Sequence, residues 1–452
     1  MTEVLEQLSD KEPYIQALSK RSDKYAPAWL RAVRETGAKR FHALHFPTPK
    51  DEEWRFTDVR PIVRGAFEPV QEASPGAIDR DRVGPHRFDE KDWTELVFVD
   101  GVFAPGLSRM AKTGKLHVHN LAETARTNGA LARERLDKII GSTGNIFNAL
   151  NSAFLVDGVV IHVPRGYAAE SPVHVLYVTT GKQKNKAIHP RNLVVLEDTA
   201  ALTLVESYIG LTEAPYFNNV VTEAALGDGA VLKRYKVLHE GRRGYHLSST
   251  RVHQSRNSVL HSFSMFLGGK IGRNDLRTCL NGEGTDASLS GLYLAEDEQS
   301  IDNATGIEHA GPHCTSRIWY KGVLNDASHA VFTGKIYVHR GAQKTDSNQL
   351  NSNMLLSDKA TLDTKPVLEI FADDVKCTHG ATAGQPPKDQ LFYFQSRGIS
   401  EAMARALLTC GFASEVVADI SLNPLRTRLQ DYVYNRYSPR PANGKGKGHG
   451  NR

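Results

Sequence analysis

The chain of 452 residues carries only Cys279, Cys314, Cys377 and Cys410, and no two of them form a CxxC pair. That scarcity excludes a disulfide framework and argues against a structural zinc ribbon. No apolar run approaches the roughly 18 residues needed for a membrane-spanning helix, so no membrane role is expected. The opening Met1-Thr2-Glu3-Val4-Leu5-Glu6 has no basic region ahead of an apolar stretch, unlike a secretory signal. Isolated thiols without an export signal point to the reducing cytoplasm. Phosphate-loop chemistry is also missing. Gly269-Lys270 and Gly334-Lys335 are each followed by Ile rather than Ser or Thr, and no GxSxG elbow occurs. No pair of carboxylates stands out for acid–base work, so the expectation is a non-catalytic protein.

Excess charge is lacking too. The formal net charge is +5, but the tail from Ser438 holds Arg440, Lys445, Lys447 and Arg452 and no acid, which leaves the rest at +1 (5 − 4). A basic tail is not a basic binding face, and nucleic acid is not expected as a partner.

What is present is a change of period along the chain. Residues 1–152 read as mostly helical. Pro27 can open a helix carrying Trp29, Leu30, Val33, Phe41 and Leu44, and Pro47-Thr48-Pro49 breaks it. Trp54 and Phe56 would tie the following segment to a core. A short strand is expected at Leu96–Gly101 and a helix at Leu131–Ile140. Residues 153–385 are short runs of Val, Ile, Leu, Thr and Tyr between turn residues, which is all-β territory. Polar turns near Asp198, Asp228, Asn257, Asp286, Asp326 and Asp358 are spaced 30, 29, 29, 40 and 32 apart. A period near thirty suggests stacked coils, and a parallel β-helix fits better than a β-sandwich, whose turns recur every 8–12 residues or so. Ser347, Gln349, Asn351 and Asn353 would then share one strand face.

Residues 386–437 return to a helical period. Arg397-Gly398 stops one helix, Ser400 caps the next, Met403, Leu407 and Cys410 line its face, and Gly411 ends it. Pro424 opens a last helix with Leu425, Leu429, Tyr432 and Val433 on one side. Residues 438–452 read as a disordered basic tail.

The sharpest chemical feature is Asp373-Asp374-Val375-Lys376-Cys377-Thr378-His379-Gly380. In a strand Cys377 and His379 share a face, where a thiolate and an imidazole could bind a borderline metal or an iron–sulfur intermediate. Two ligands are too few for a closed site, so a partner or a cargo would complete it. The plainer alternative is a buried cysteine beside a hydrogen-bonded histidine. His309 and His313 are four apart, but Gly311-Pro312 prevents the zinc-helix arrangement. His117 and His119 share a strand face with no acid or thiol adjacent.

The run from Gly334 to Gly398 resembles the SufB/SufD family of the SUF iron–sulfur assembly system. The matching residues are Ala342–Asp346, Asn351–Asp358, Asp363–Pro366, Leu368–Ile370, Ala372–Gly380, Leu391–Tyr393 and Ser396–Ile399. Glu52–Thr57 is similar to the family's amino-terminal region. Cys377-Thr378-His379-Gly380 resembles the SufD branch, where Ser usually stands in place of Thr378. The resemblance implies a mainly β protein, with a right-handed parallel β-helix between N-terminal and C-terminal helical parts. It implies a complex with SufB and SufC, docking of SufC through the helices after Pro387, and a transient iron–sulfur cluster at the SufB interface. His379, and secondarily Cys377, would be the ligands or metal-binding groups from this chain. The sequence leaves open whether the isolated chain forms a homodimer through the same edge. A polysaccharide-acting β-helix enzyme and a purely structural, self-associating β-helix are the competing readings.

Overall fold

The computed structural model describes residues 2–438 except 22, 24–25, 71–77, 79, 89, 112–113, 128, 141–144 and 182–184. The basic tail beyond Ser438 lies outside the described residues. Its body is a parallel β-solenoid of about 8 turns. From Arg191 onward each coil of chain lays one strand into an 11-stranded sheet and the next into a 10-stranded sheet. We call these the first and the second sheet.

Register shows why the period is near thirty. In the second sheet Val231 pairs with Val259, Val259 with Asp286, Asp286 with Thr315, Thr315 with Asp346 and Asp346 with Lys376. From Val231 on, each strand of this sheet up to the last therefore bonds to the one a full coil later, not to its sequence neighbour. One corner repeats with particular regularity. Gly166, Thr199, Gly229, Asn257, Gly284, His313 and Lys344 all adopt a left-handed conformation, with φ from +54° at Asn257 to +68° at Gly166 and Gly284. Each donates its backbone N–H to the coil above, as Asn257 does to the Glu283 carbonyl at 2.9 Å and Lys344 to the Asp374 carbonyl at 2.7 Å. Gly and Asn accept this conformation at low cost, which accounts for the turn signals. The expected periodicity mixed two corners. Asp198, Asp228 and Asn257 mark this one, whereas Asp326, left-handed at φ +51°, belongs to the opposite corner, and Asp286 opens a strand. The irregular interval follows from that mixture.

The interior is largely apolar and carries buried polar groups along its length, among them Glu206 paired with Arg234. Leu96, Phe98, Ile161, Val194, Leu204 and Leu232 pack in one cluster. Farther along, inward positions are Ser347, Gln349, Asn351 and Asn353, all buried, as their alternation suggested. Asn351 donates to the Tyr293 hydroxyl at 3.0 Å.

Helices cover the outer faces. Helices α1 (Thr2–Ser19), α2 (Ala28–Ala43) and α3 (Ile146–Ala153) frame an aromatic cluster on the first sheet. It includes Tyr14, Phe41, Phe46, Trp54, Phe147, Phe217 and Tyr245. Trp54 ties its segment down, with the Arg273 guanidinium 4.2 Å from its ring. Phe56 is exposed, contrary to expectation, because it faces away from this cluster. The helix expected to reach Ile140 stops at Arg135, since Leu136 is extended and Asp137 left-handed. The β body also begins before residue 153. Thr94–Val99 pairs in parallel with Val173–Val178, and His117–Asn120 pairs antiparallel with Val159–His162.

Three helices follow the solenoid: α4 (Lys388–Ser396), α5 (Glu401–Val417) and α6 (Asn423–Tyr437). Ser400 caps α5, its hydroxyl accepting the Met403 N–H at 3.3 Å. The buried face of α5 is Ala404, Thr409, Ala413, Val416 and Val417, so Met403 and Leu407, both 41% exposed, lie on the outside. Gly411 does not end the helix, because nothing there opposes its continuing to Val417. Ala413, Val416, Leu425, Leu429 and Val433 pack on Val205, Tyr235, Phe263 and Leu292 of the second sheet. Helices α5 and α6 are therefore part of the core. Among the described residues no helix is long and apolar enough to cross a membrane.

A buried ion pair joins the N-terminal part to the solenoid. Arg191 Nη2 lies 2.7 Å from Glu223 Oε1, both fully buried, and the Glu223 carboxylate also accepts the backbone N–H groups of Asp137, Ile139 and Ile140. Removing Glu223 leaves Arg191 only the Asp137 carboxylate, at 3.0 Å, and strands three backbone N–H groups, so Glu223→Ala is expected to cost about 3–5 kcal/mol. A urea titration would show this as a lower midpoint.

Candidate functional site

A solenoid has two ends, and here they differ. The first coils are closed by the antiparallel strands Val102–Phe103 and His117–Asn120. The last strands, Thr361–Ile370 of the first sheet and Lys376–Gly384 of the second, are sheet edges. Their outward backbone groups have no further strand to pair with, which is a template for another chain.

Cys377 and His379 sit on this final edge. The approach is locked by the Lys344–Asp374 ion pair and by the Asp374 N–H donating to Gln343 Oε1 at 2.9 Å. Lys376 then joins the ladder, its N–H donating to the Thr345 carbonyl at 2.8 Å. Alternation places Cys377 and His379 on the interior face, above Ser347 and Gln349. Thr378 points outward, where Asn348 Nδ2 donates to its hydroxyl at 2.6 Å. Cys377 is half-buried against the interior cluster, and His379 is exposed at the mouth. Burial, then the nearby Asp346 carboxylate, pushes the Cys377 thiol up. Leu350, Ile370 and Phe371 leave apolar surface around the same end. The pair thus stands side by side as the alternation required. Among the described residues no three His, Cys, Asp or Glu side chains converge as a metal group. A thiol and an imidazole are two donors, whereas a closed tetrahedral site takes four.

The other histidines separate by position. His309 is buried inside the solenoid, and His313 occupies a left-handed corner. His117 stacks on His162 at 5.6 Å between ring centroids, on the outer face. Two clusters were not legible in the linear sequence. On the outer face of the first sheet a cavity of about 530 Å³ is lined by His253, Cys279, Glu308, Tyr337 and His339, among others. There His339 Nε2 lies 2.6 Å from Glu308 Oε1, and burial together with Glu308 pushes the Cys279 thiol up to about 12. Adding one coil length to Cys279 reaches Glu308, and the next coil brings Tyr337, with His339 two residues on, so the repeat itself was the usable signal. The second cluster is Glu95, His174 and Ser207, where the imidazole bridges carboxylate and hydroxyl at 2.9 and 3.0 Å. It is buried under Phe88 and serves to join three adjacent strands.

The fold is thus a parallel solenoid, open at its C-terminal end, with a thiol and an imidazole on the open rim. Two family descriptions match the chain: the SufBD protein N-terminal region over residues 11–175, and the SufBD core domain of the SUF FeS cluster assembly system over residues 177–412. An iron–sulfur cluster assembly SufBD family protein of Synechocystis is 32% identical over 413 residues, covering 88% of this chain and 89% of that protein. The iron–sulfur cluster assembly protein SufD of Escherichia coli is 30% identical over 374 residues, covering 82% and 84%. SufD of Bacillus subtilis is 25% identical over 440 residues, covering 94% and 98%. The chain belongs to the SufB/SufD family of iron–sulfur cluster assembly proteins.

The electrostatics of Cys377 can be measured directly. Its thiolate should form only above the ordinary thiol range, so alkylation should rise with pH late. Asp346→Asn removes a negative charge and should shift that rise to lower pH, read by peptide mass spectrometry. No shift would mean that Asp346 does not act on the thiol.

Proposed function

We propose that this chain is a SufD-type, non-catalytic scaffold subunit working with SufB and SufC in the cytoplasm. The observation that carries the reading is the open end of the solenoid, where two unpaired edge strands, Cys377 and His379 share one rim. Edge pairing with a second solenoid satisfies the free backbone groups and brings a second set of ligands against His379. A nascent iron–sulfur cluster is then cargo held between two chains, with His379 the main ligand from this side and Cys377 the secondary one. The same edges would pair two copies of this chain when SufB is absent. The four cysteines are unpaired, in keeping with a reducing compartment.

The SufC surface in this reading is the outer side of α4 and α5. Phe392 and Tyr393 are 71% and 57% exposed, and Met403 and Leu407 extend the patch. An exposed apolar patch of this kind on an otherwise charged surface marks a docking face. Cycles of ATP hydrolysis on SufC would move this face and, through α5 and α6 packed on the second sheet, the rim.

Two outcomes test the reading. In a reconstituted complex with SufB and SufC, His379→Ala should leave folding and assembly intact and reduce cluster formation on anaerobic addition of iron and sulfide. An unchanged cluster yield by absorption spectroscopy would remove His379 from the mechanism. Separately, the double substitution Phe392→Glu and Tyr393→Glu should abolish co-purification with SufC while leaving the thermal midpoint near that of the parent, because neither side chain is buried. Full retention of SufC would place its docking face elsewhere.

A further inference from the structure

The strand beneath the rim, Asp346–Leu355, sets Ser347 directly under Cys377 and Gln349 directly under His379. Both face the interior and are 1% exposed. In this structure Ser347 bonds to Ser316 and Gln349 Oε1 has no partner, so neither reaches the side chain above it, but neighbouring strands lie about 4.8 Å apart and a side-chain rotation spans the gap.

What lies deeper decides the polarity of each. His309 Nε2 is 2.9 Å from Ser316 Oγ, and Ser316 Oγ is 2.7 Å from Ser347 Oγ. His309 Nδ1 is buried without a partner. A proton on Nδ1 would strand a donor in the interior, whereas a proton on Nε2 strands only a lone pair, the smaller cost. Burial also holds the ring neutral, drawing its pKa down to about 4. Nε2–H therefore donates to Ser316, Ser316 donates to Ser347, and the Ser347 proton is left over for the sulfur above. Gln349 has the opposite character. Its Oε1 is buried and accepts no hydrogen bond. Its amide is held flat against Gly334, where an added Cβ would stand 2.3 Å from Nε2. A ligating thiolate is stabilised by a donor, and a neutral imidazole that ligates through one nitrogen needs an acceptor for the other. A donor thus stands under the thiol and an acceptor under the imidazole.

We infer that Ser347 and Gln349 are the positioning residues of the rim, Ser347 donating to the Cys377 sulfur and Gln349 Oε1 receiving the N–H of the His379 ring. The other ring nitrogen is then directed out of the open end. The significance of this for cargo rests on the function proposed above, but the two hydrogen bonds do not.

Both are tested on the full chain alone. With ¹⁵N-labelled histidine, the His379 ring signals, assigned by their loss in His379→Gln, should report one tautomer. Gln349→Met keeps the length and removes the acceptor, and should release a mixture of tautomers. Ser347→Ala should slow iodoacetamide labelling of Cys377 roughly fivefold at fixed pH, because a hydrogen bond to the thiolate is lost. Circular dichroism checks that both variants are folded. An unchanged tautomer in Gln349→Met, or an unchanged labelling rate in Ser347→Ala, overturns the inference. Neither readout involves a cluster, so a failed assembly assay with His379→Ala would leave this result standing, and the reverse also holds.

Discussion

Backbone hydrogen bonding between successive coils is the interaction on which everything else in this molecule depends. Among the described residues no strand from Arg191 onward pairs with its sequence neighbour across a hairpin. Each N–H and C=O is satisfied only when the following coil has been laid on top of it. Such a stack is close to one-dimensional, and it must be closed at an end or completed by something else. The N-terminal end is closed by antiparallel strands and by helices packed over the flank. The C-terminal end is left with Thr361–Ile370 and Lys376–Gly384 as edges. Cys377 and His379 stand where the stacking runs out.

The helical parts act on this stack from outside. On the first sheet an aromatic layer from α1 to α3 and the buried Arg191–Glu223 pair fix the early coils. The segment around Trp54 reaches farther, because Glu52 and Glu53 pair with Lys365 and Arg277. Lys365 lies on an edge strand, so the N-terminal part touches the rim. On the second sheet α5 and α6 seal the face, and their exposed apolar side chains lie at the same end of the molecule's sequence as the rim. The exposed apolar face of these helices and the Cys377–His379 pair are thus connected through packed elements.

Much of this was readable in advance. The β-helix body, the shared face of Cys377 and His379, the polar face of Ser347 to Asn353 and the cap at Ser400 follow from local rules of alternation and capping. The failures are also physical. Met403 and Leu407 look like a core stripe by spacing, but small residues such as Ala404 and Ala413 make the buried face, because a helix lying on a sheet needs close approach more than bulk. The mixed turn spacing arose because two corners of the coil use the same residue types. The Glu308 cluster was invisible because its members are one coil apart, and coil length varies from rung to rung.

The amino-acid sequence by itself determined the period, the alternation of strands, the helix boundaries set by caps and the chemical identity of a thiol and an imidazole two residues apart. Those properties depend on neighbours within a few positions. Only the tertiary structure decided that this pair stands on an unpaired edge, half-sheltered and half-exposed, with a hydroxyl row under one and an amide oxygen under the other. Such relations join residues roughly thirty positions apart, and they exist only once one coil has settled on the next.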